Sequence, residues 1–513
     1  MGVYGFLIKI GGRIPVIHDF INRYLIVGRL ANAAPPRPHA FSMAAPFTLW
    51  PGLVDRSWSG RHLPEADKRT AASLPKEEVV VELFRRRDFK ASTDTSLMFM
   101  FFAQWFTDSF LRTDFLDPRR NSSNHEIDLC QIYGLSEDKT RMLRENNHGR
   151  LASQDIDGQE FPEFLFEEIN GKLQVREKFR GKGGAPDLHS TTVLDHVLAD
   201  VTDEKKKFIC AVGLEHGNAT IGYTVLNTLF LREHNRIAAL VSTAEPDWSD
   251  EQIFQTTRMI LTVILLKIVV EDYIRHISPV DFPVKLIVGA ADGARWGKTN
   301  RIAIEFNLLY RWHSLVPDKI KLDGKELSSK EFLNNNSLVM QKGLSAIIAE
   351  LSKQKAGKIG LRNDPAFMFV AKNGVASTSA RTISISRAAR LQSFNSYRIL
   401  FGLRAYSSFL ELTRDKILAA ELQEIYEEIG NLEWFVGLFA EGYSESSMMG
   451  ELQATMVAHD AFTQALTNPL LSKKIFNART FSATGMRIIH ETSTLADLVH
   501  RNLGAGVVCS FAV

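Results

Sequence analysis

Tyr310 and His313 stand three residues apart in the run RIAIEFNLLYRWHSLVPD, residues Arg301–Asp318. If Glu305–His313 is helical, that spacing places both side chains on one face. Neutral imidazole is a common iron ligand, and a single axial histidine leaves the opposite face of an iron porphyrin open to peroxide or oxygen. A phenol held beside such an iron can be oxidised by loss of a hydrogen atom. The same pair on its own is also met as a structural histidine satisfied inside a core.

The elements that would position these residues read as mainly helical. Dense apolar patterning predicts helices over Leu97–Thr113 and Thr224–Thr243. Another is predicted over Asp250–Ile277, capped by Ser249 with Gln252 three residues on. Further helices are expected over Lys330–Lys353, Ser386–Leu391, Phe409–Leu412 and Ala419–Glu433, and strand signals are few and short. The 513 residues, 45% hydrophobic and 23% charged, can bury a large core. We read one mainly α catalytic domain over 46–513 behind an N-terminal segment, 1–45. In that segment Val16, Ile17, Phe20, Ile21, Tyr24 and Leu25 fall at helical spacing, and the proline-rich stretch Ala31–Ser42 reads as a linker. The apolar stripe suits either a membrane interface, giving peripheral association, or docking on the protein's own core.

A net charge of +2 without a long basic block offers nothing to a nucleic acid. Cys130, Cys210 and Cys509 are too few and too scattered for a disulfide framework or a thiolate metal site, as in an intracellular chain. The N-terminus lacks the pattern of a signal peptide. The most apolar stretch, Met259–Val270, is interrupted by Lys267 and falls short of the ~20 residues that span a bilayer. A core helix is expected there.

The Arg301–Asp318 run resembles the proximal-haem motif of the cyclooxygenases, fatty-acid oxygenases of the animal-type haem-peroxidase superfamily. Its Y-R-W-H-S-L centre also resembles the α-dioxygenases. Similar motifs recur in order: WSGRHLP (Trp58–Pro64), DLCQIYG (Asp128–Gly134), LFLREHNRIAAL (Leu229–Leu240) and RLQSFNSYRILFGLRAYSSFLEL (Arg390–Leu412). The resemblance implies a mainly α haem-peroxidase (cyclooxygenase-like) fold and one haem b per chain. It makes His313 the proximal iron ligand and Tyr310 the radical-forming residue, with Trp312 between them.

On the distal side the family's F-F-A-Q-H-F-T-H becomes FFAQWFTD, so Gln104 is kept and Asp108 replaces the distal histidine. Residues four apart share a helical face. Aspartate titrates near 4, so it can exchange peroxide's proton only where burial raises its pKa. Asp108 also suits a purely hydrogen-bonding role, and peroxidase activity is in question. Resemblance to the α-dioxygenases suggests His216 and Thr220 as polar groups near the haem, although a capping histidine fits the first equally.

A fatty acid needs an anchor for its carboxylate. Arg29, just ahead of the proline-rich linker, stands where the cyclooxygenases place theirs, and guanidinium binds carboxylate bidentately. The tyrosine that partners it in the family corresponds to Val280. Tyr273 matches a channel tyrosine, and the serine acetylated by aspirin corresponds to Ala461, so prostaglandin formation does not follow. The expected reaction is tyrosyl-radical oxygenation of a fatty acid by O2, started by a peroxide activator. Fatty-acid α-dioxygenation, small-reductant peroxidase activity and a non-catalytic haem-binding role are the alternatives.

Overall fold

The computed structural model describes residues 13–33, 50, 54–68, 73–114, 116–278, 282–294, 301–371, 376–445 and 447–513. Its architecture is mainly helical, and the eight strands form four separate two-stranded antiparallel ribbons. The helices that build the site are α1 (Pro15–Arg23), α2 (Leu97–Thr107), α3 (Ile221–Ala244), α4 (Asp250–Ile268), α5 (Ile304–Leu309), α6 (Thr378–Ala388), α7 (Glu451–Leu466) and α8 (Ala478–His490). At the centre α4 packs on α3 and α8, α3 packs on α2, and α5 packs on α7. The α2–α3 crossing is close enough that a Cβ on Gly222 would lie 2.2 Å from the Phe101 ring, so only glycine fits there.

Ser249 and Gln252 close the expected capping box at the start of α4. Through a wide turn at Val269–Tyr273 the helix runs on to Ile277, making 28 residues. It is long and apolar enough to cross a membrane, yet 83% of its most apolar window is buried inside the protein, as in a core helix. All three cysteines are free thiols.

Several helices end earlier than their patterning predicts. α2 stops at Thr107 rather than Thr113, where Thr107 Oγ1 and Ser109 Oγ donate to the carbonyls of Ala103 and Phe106 at 2.7 and 2.8 Å. The Lys330–Lys353 expectation resolves into three pieces, broken at Asn334 and Gly343, both with positive φ. The helix expected over Ser386–Leu391 is the end of α6, which stops at Ala388. The one expected over Ala419–Glu433 spans Lys416–Tyr426 and is ended by Glu427 at φ 63°. α5 ends at Leu309, so Tyr310 and His313 do not share a helix face. Trp312 N–H bonds back to Tyr310 O at 2.9 Å, and a tight 3-10 turn carries His313.

The motifs quoted above converge in space. Tyr133 Oη and His234 Nδ1 lie 2.7 Å apart, joining DLCQIYG to LREHN. Glu305 Oε1 accepts from His62 N–H of WSGRHLP at 3.0 Å and from Tyr397 Oη of RLQSFNSY at 2.9 Å. The buried carboxylate of Glu305 thus ties two distant segments to the helix that delivers Tyr310.

The N-terminal helix docks by its polar side. His18 Nε2 lies 2.7 Å from Pro283 O, its ring stacks on Phe282, and Asn22 exchanges hydrogen bonds with the Lys285 backbone. Asn22 and Ile26 are buried, Ile21 and Leu25 half-buried, while Val16 and Phe20 are 80% and 72% exposed. Most of the proline-rich linker lies outside the described residues.

Candidate active site

Tyr310 is held by aromatic neighbours. Its ring lies 4.6 Å from Trp312 and 5.5 Å from Phe306, and Phe99 stacks between Trp312 and Tyr273, at 6.5 and 4.8 Å. Tyr273 comes from the wide turn that follows α4 and is fully buried. The Tyr273 and Tyr310 hydroxyls lie close enough to interact with one another, and neither has any other hydrogen-bond partner among the described residues. Burial pushes both phenols well above their ordinary pKa, with the charge of Asp460 adding to the shift at Tyr310. Both therefore stay protonated. They can lose a hydrogen atom but not simply a proton.

His313 is half-buried, with Nδ1 turned towards Asp364 Oδ2 at 3.6 Å, which leaves Nε2 as the ring nitrogen for a metal. On the other side of this segment, Arg311 lies in the wall of a cavity of about 780 Å³ with Asp108, Arg112, Glu215, His216 and Arg381. Burial lowers the Arg311 pKa to about 10, and the like charge of Arg381 lowers it further. Burial raises Asp108 to about 7, opposed by Arg112 and reinforced by Glu215. Burial thus moves this carboxyl from the ordinary aspartate range towards neutrality.

Gln104 and Thr220 meet behind this wall, where Thr220 Oγ1 donates to Gln104 Oε1 at 3.4 Å. Thr220 also caps α3 by accepting from Tyr223 N–H at 3.1 Å. His216 is exposed on the cavity wall, with Nε2 3.6 Å from Glu215 Oε1. The distal candidates thus form two pairs: Asp108 and His216 line the cavity, while Gln104 and Thr220 touch one another and are not on its wall.

Arg29 lies elsewhere. It lines a second cavity, of about 510 Å³, among Leu25, Ile274, Ile277, Phe401 and Ala458. Neither Tyr310 nor Tyr273 is on that wall, although Ile274 follows Tyr273 directly. Ala461 is buried one turn along α7 from Val457 and Ala458, which do line it. Val280 lies outside the described residues.

The motifs did not point to three other buried groups. Asp364 faces His313, and a cluster of His62, His459 and Asp460 adjoins Tyr310 through Asp460. His62 Nε2 lies 3.1 Å from both Asp460 oxygens, and His459 Nδ1 lies 3.0 Å from Leu30 O, tying α7 to the N-terminal segment.

The sequence matches the animal haem peroxidase family over residues 116–508. This chain belongs to the animal haem peroxidase family. Prostaglandin G/H synthase 2 of Bos taurus is 32% identical over 519 residues, covering 98% of this chain and 80% of that protein. Prostaglandin G/H synthase 1 of Rattus norvegicus is 34% identical over 493 residues, covering 93% and 76%. Among solved structures, a tyrosine-to-phenylalanine variant of the Oryza sativa fatty acid alpha-dioxygenase with palmitic acid superposes with a TM-score of 0.73. It has 15% identity and covers 100% of this chain and 97% of its own. The chain is thus an oxidoreductase of the haem peroxidase superfamily, related to fatty-acid oxygenases, and its fold is that of a haem peroxidase.

Family membership implies a haem cofactor. The residues present fit one. His313 offers a ring nitrogen, and the nearby cavity lies within the range of cofactor pockets, roughly 300–1,000 Å³. The buried Arg311, with Arg381 beside it, supplies positive charge suited to two propionates.

Proposed function

We propose that this haem peroxidase family member is a haem b-dependent fatty-acid dioxygenase working through a radical on Tyr310. The carrying observation is the Tyr310 phenol itself: its hydroxyl is buried beside that of Tyr273, its ring packs on Trp312, and it stands three residues before His313. Small-reductant peroxidation needs no such residue. When bound, haem supplies the one-electron and oxygen chemistry that side chains lack. His313 Nε2 would hold the iron, and Arg311 and Arg381 the propionates.

Asp108 takes the proton of an activating peroxide and returns it to the leaving oxygen, with Gln104 and Thr220 as polar neighbours. Tyr310, having lost its hydrogen atom, takes one from a C–H bond of the fatty acid. O2 adds to the carbon radical, and the peroxyl radical recovers a hydrogen atom from Tyr310, giving the hydroperoxide and restoring the tyrosyl radical. The protein's part is geometric, since it decides which C–H bond meets Tyr310. Arg29 anchors the carboxylate at the mouth of the apolar cavity. The exposed stripe of Val16, Phe20 and Tyr24 rests on a membrane interface, so the protein associates peripherally with membrane inside the cell.

A second reading rests on the basic cavity. A carboxylate held there by Arg311, Arg112 or His216 would present the fatty acid's α-carbon to the same tyrosine, giving α-dioxygenation. Oxygen uptake by the haem-loaded protein with palmitate and with linoleate, followed by mass spectrometry of the products, tests both. Oxygen placed far along the chain favours Arg29, and oxygen on the carbon next to the carboxylate favours the basic cavity. Absence of fatty-acid-dependent uptake refutes both.

A further inference from the structure

Asp364 lies on the loop that follows the short strand Lys355–Gly357, far in sequence from the haem motif. That loop is fixed against the residues flanking His313. Gly357 passes so close to Ser314 that an added Cβ would lie 1.9 Å from Ser314 O. The buried Asn363 amide donates to Lys90 O at 2.9 Å, Lys358 O at 2.8 Å and Ser314 O at 3.4 Å, and accepts from Lys90 N–H at 3.0 Å. Arg86 bridges the two segments, its Nε donating to Asn363 O at 2.9 Å and its Nη2 to Val316 O at 2.7 Å. Backbone bonds at 2.9 Å, from Asp364 N–H to Phe84 O and from Arg86 N–H to Asp364 O, hold Asp364 on both sides.

These contacts hold a 5% exposed carboxylate 3.6 Å from His313 Nδ1, while its second oxygen, Oδ1, has no hydrogen-bond partner among the described residues. A gap of 3.6 Å is outside hydrogen-bond range. Such contacts tighten when a site is filled. Histidines that ligate metals commonly donate their other ring N–H to a carboxylate, which fixes the tautomer and makes the ligand more basic.

We propose that Asp364 is the positioning residue of the proximal ligand. It accepts the Nδ1–H of His313, fixes Nε2 as the iron-directed nitrogen, and adds electron density to it. The inference rests on His313 being the haem ligand. A carboxylate acceptor strengthens the iron–nitrogen bond and stabilises the ferric over the ferrous state. An amide is a weaker acceptor of the same shape, so Asp364→Asn isolates the effect of charge.

The test compares haem-loaded wild type, Asp364→Asn and Asp364→Glu by resonance Raman of the ferrous proteins and by spectroelectrochemical titration. Asp364→Asn is expected to bind haem with unchanged stoichiometry. Its iron–histidine stretch should fall in frequency, its ferric/ferrous midpoint potential should rise, and Asp364→Glu should move both back towards wild type. Equal stretches and potentials in wild type and Asp364→Asn would overturn the inference. If Asp364→Asn binds no haem, recovery of haem and of the iron–histidine stretch in Asp364→Glu supports it, and failure to recover refutes it. Absence of an iron–histidine stretch in the wild type would instead locate the failure in the His313 assignment.

Discussion

The two cavities each carry arginine, yet they differ in every other respect. One, about 780 Å³, is walled by charged groups: Asp108, Arg112, Glu215, Arg311 and Arg381. The other, about 510 Å³, is mostly apolar, with Arg29 near Glu451 on its wall. Glu451 accepts from Arg398 Nη2 at 2.9 Å. A fatty acid is amphipathic, and each cavity suits one of its ends. The comparison turns the question of substrate orientation into which arginine meets the carboxylate.

Four perturbations break or sharpen that contrast, beginning with the residues common to both sides. His313→Ala is expected to abolish the Soret band or leave only weakly bound haem, because the family motif makes His313 the protein's axial ligand. A wild-type spectrum at full haem content would remove His313 from the site. Tyr310→Phe should retain haem, and oxygen uptake with fatty acid should drop to background while slow peroxide consumption persists. Full oxygenase activity there would end the tyrosyl-radical reading.

The charged cavity is probed next through Asp108. Asp108→Asn should slow peroxide turnover by roughly 10²-fold or more, the usual scale of a lost acid–base group. With its pKa raised to about 7, the carboxylate is ionised above that pH and protonated below it. As the proton acceptor it must be ionised, so wild-type peroxide turnover should fall by about tenfold for each pH unit below 7. A flat profile from pH 5 to 8 would exclude Asp108 as the base. Asp108→His, with an ordinary pKa near 6.5, should raise peroxidase turnover.

The apolar cavity is probed through Arg29. Arg29→Gln should weaken apparent fatty-acid affinity by about 1.5–3 kcal/mol, roughly 10- to 150-fold, with little change in kcat. An unchanged KM would move the carboxylate to the basic cavity, where Arg311→Gln should then show the loss.

Tyr310, His313, Gln104 and Asp108 stand out as candidates in the sequence because contiguous motifs carry them and their proposed chemistry depends on residue type. The helical architecture was legible for a similar reason, since α3 and α4 are long and strongly patterned. Helix ends were not. They depend on residues such as Asn334 and Glu427 adopting positive φ. Asp364, His62 and Asp460 were invisible as site neighbours, because only tertiary packing brings them to Tyr310 and His313. The docking direction of α1 was likewise hidden. Its periodicity showed an apolar stripe, but only Ile21 and Leu25 of that stripe pack on the core, and the hydrogen bonds of His18 and Asn22 fix the helix from its polar side.

That inverted docking has a thermodynamic consequence. A short amphipathic segment that becomes helical only at a lipid surface must lose about 1–2 kcal/mol of backbone entropy per residue as it binds. In α1 the loss is already met during folding, by directional contacts to the Pro283 and Lys285 carbonyls that leave Val16, Phe20 and Tyr24 exposed. Partition to a bilayer is then a rigid-body event, governed by apolar area alone. Replacing Val16 and Phe20 together by serine should leave the melting temperature within the small range of surface substitutions, while co-sedimentation with lipid vesicles is lost. A protein that binds vesicles equally well with both serines in place does not use this face.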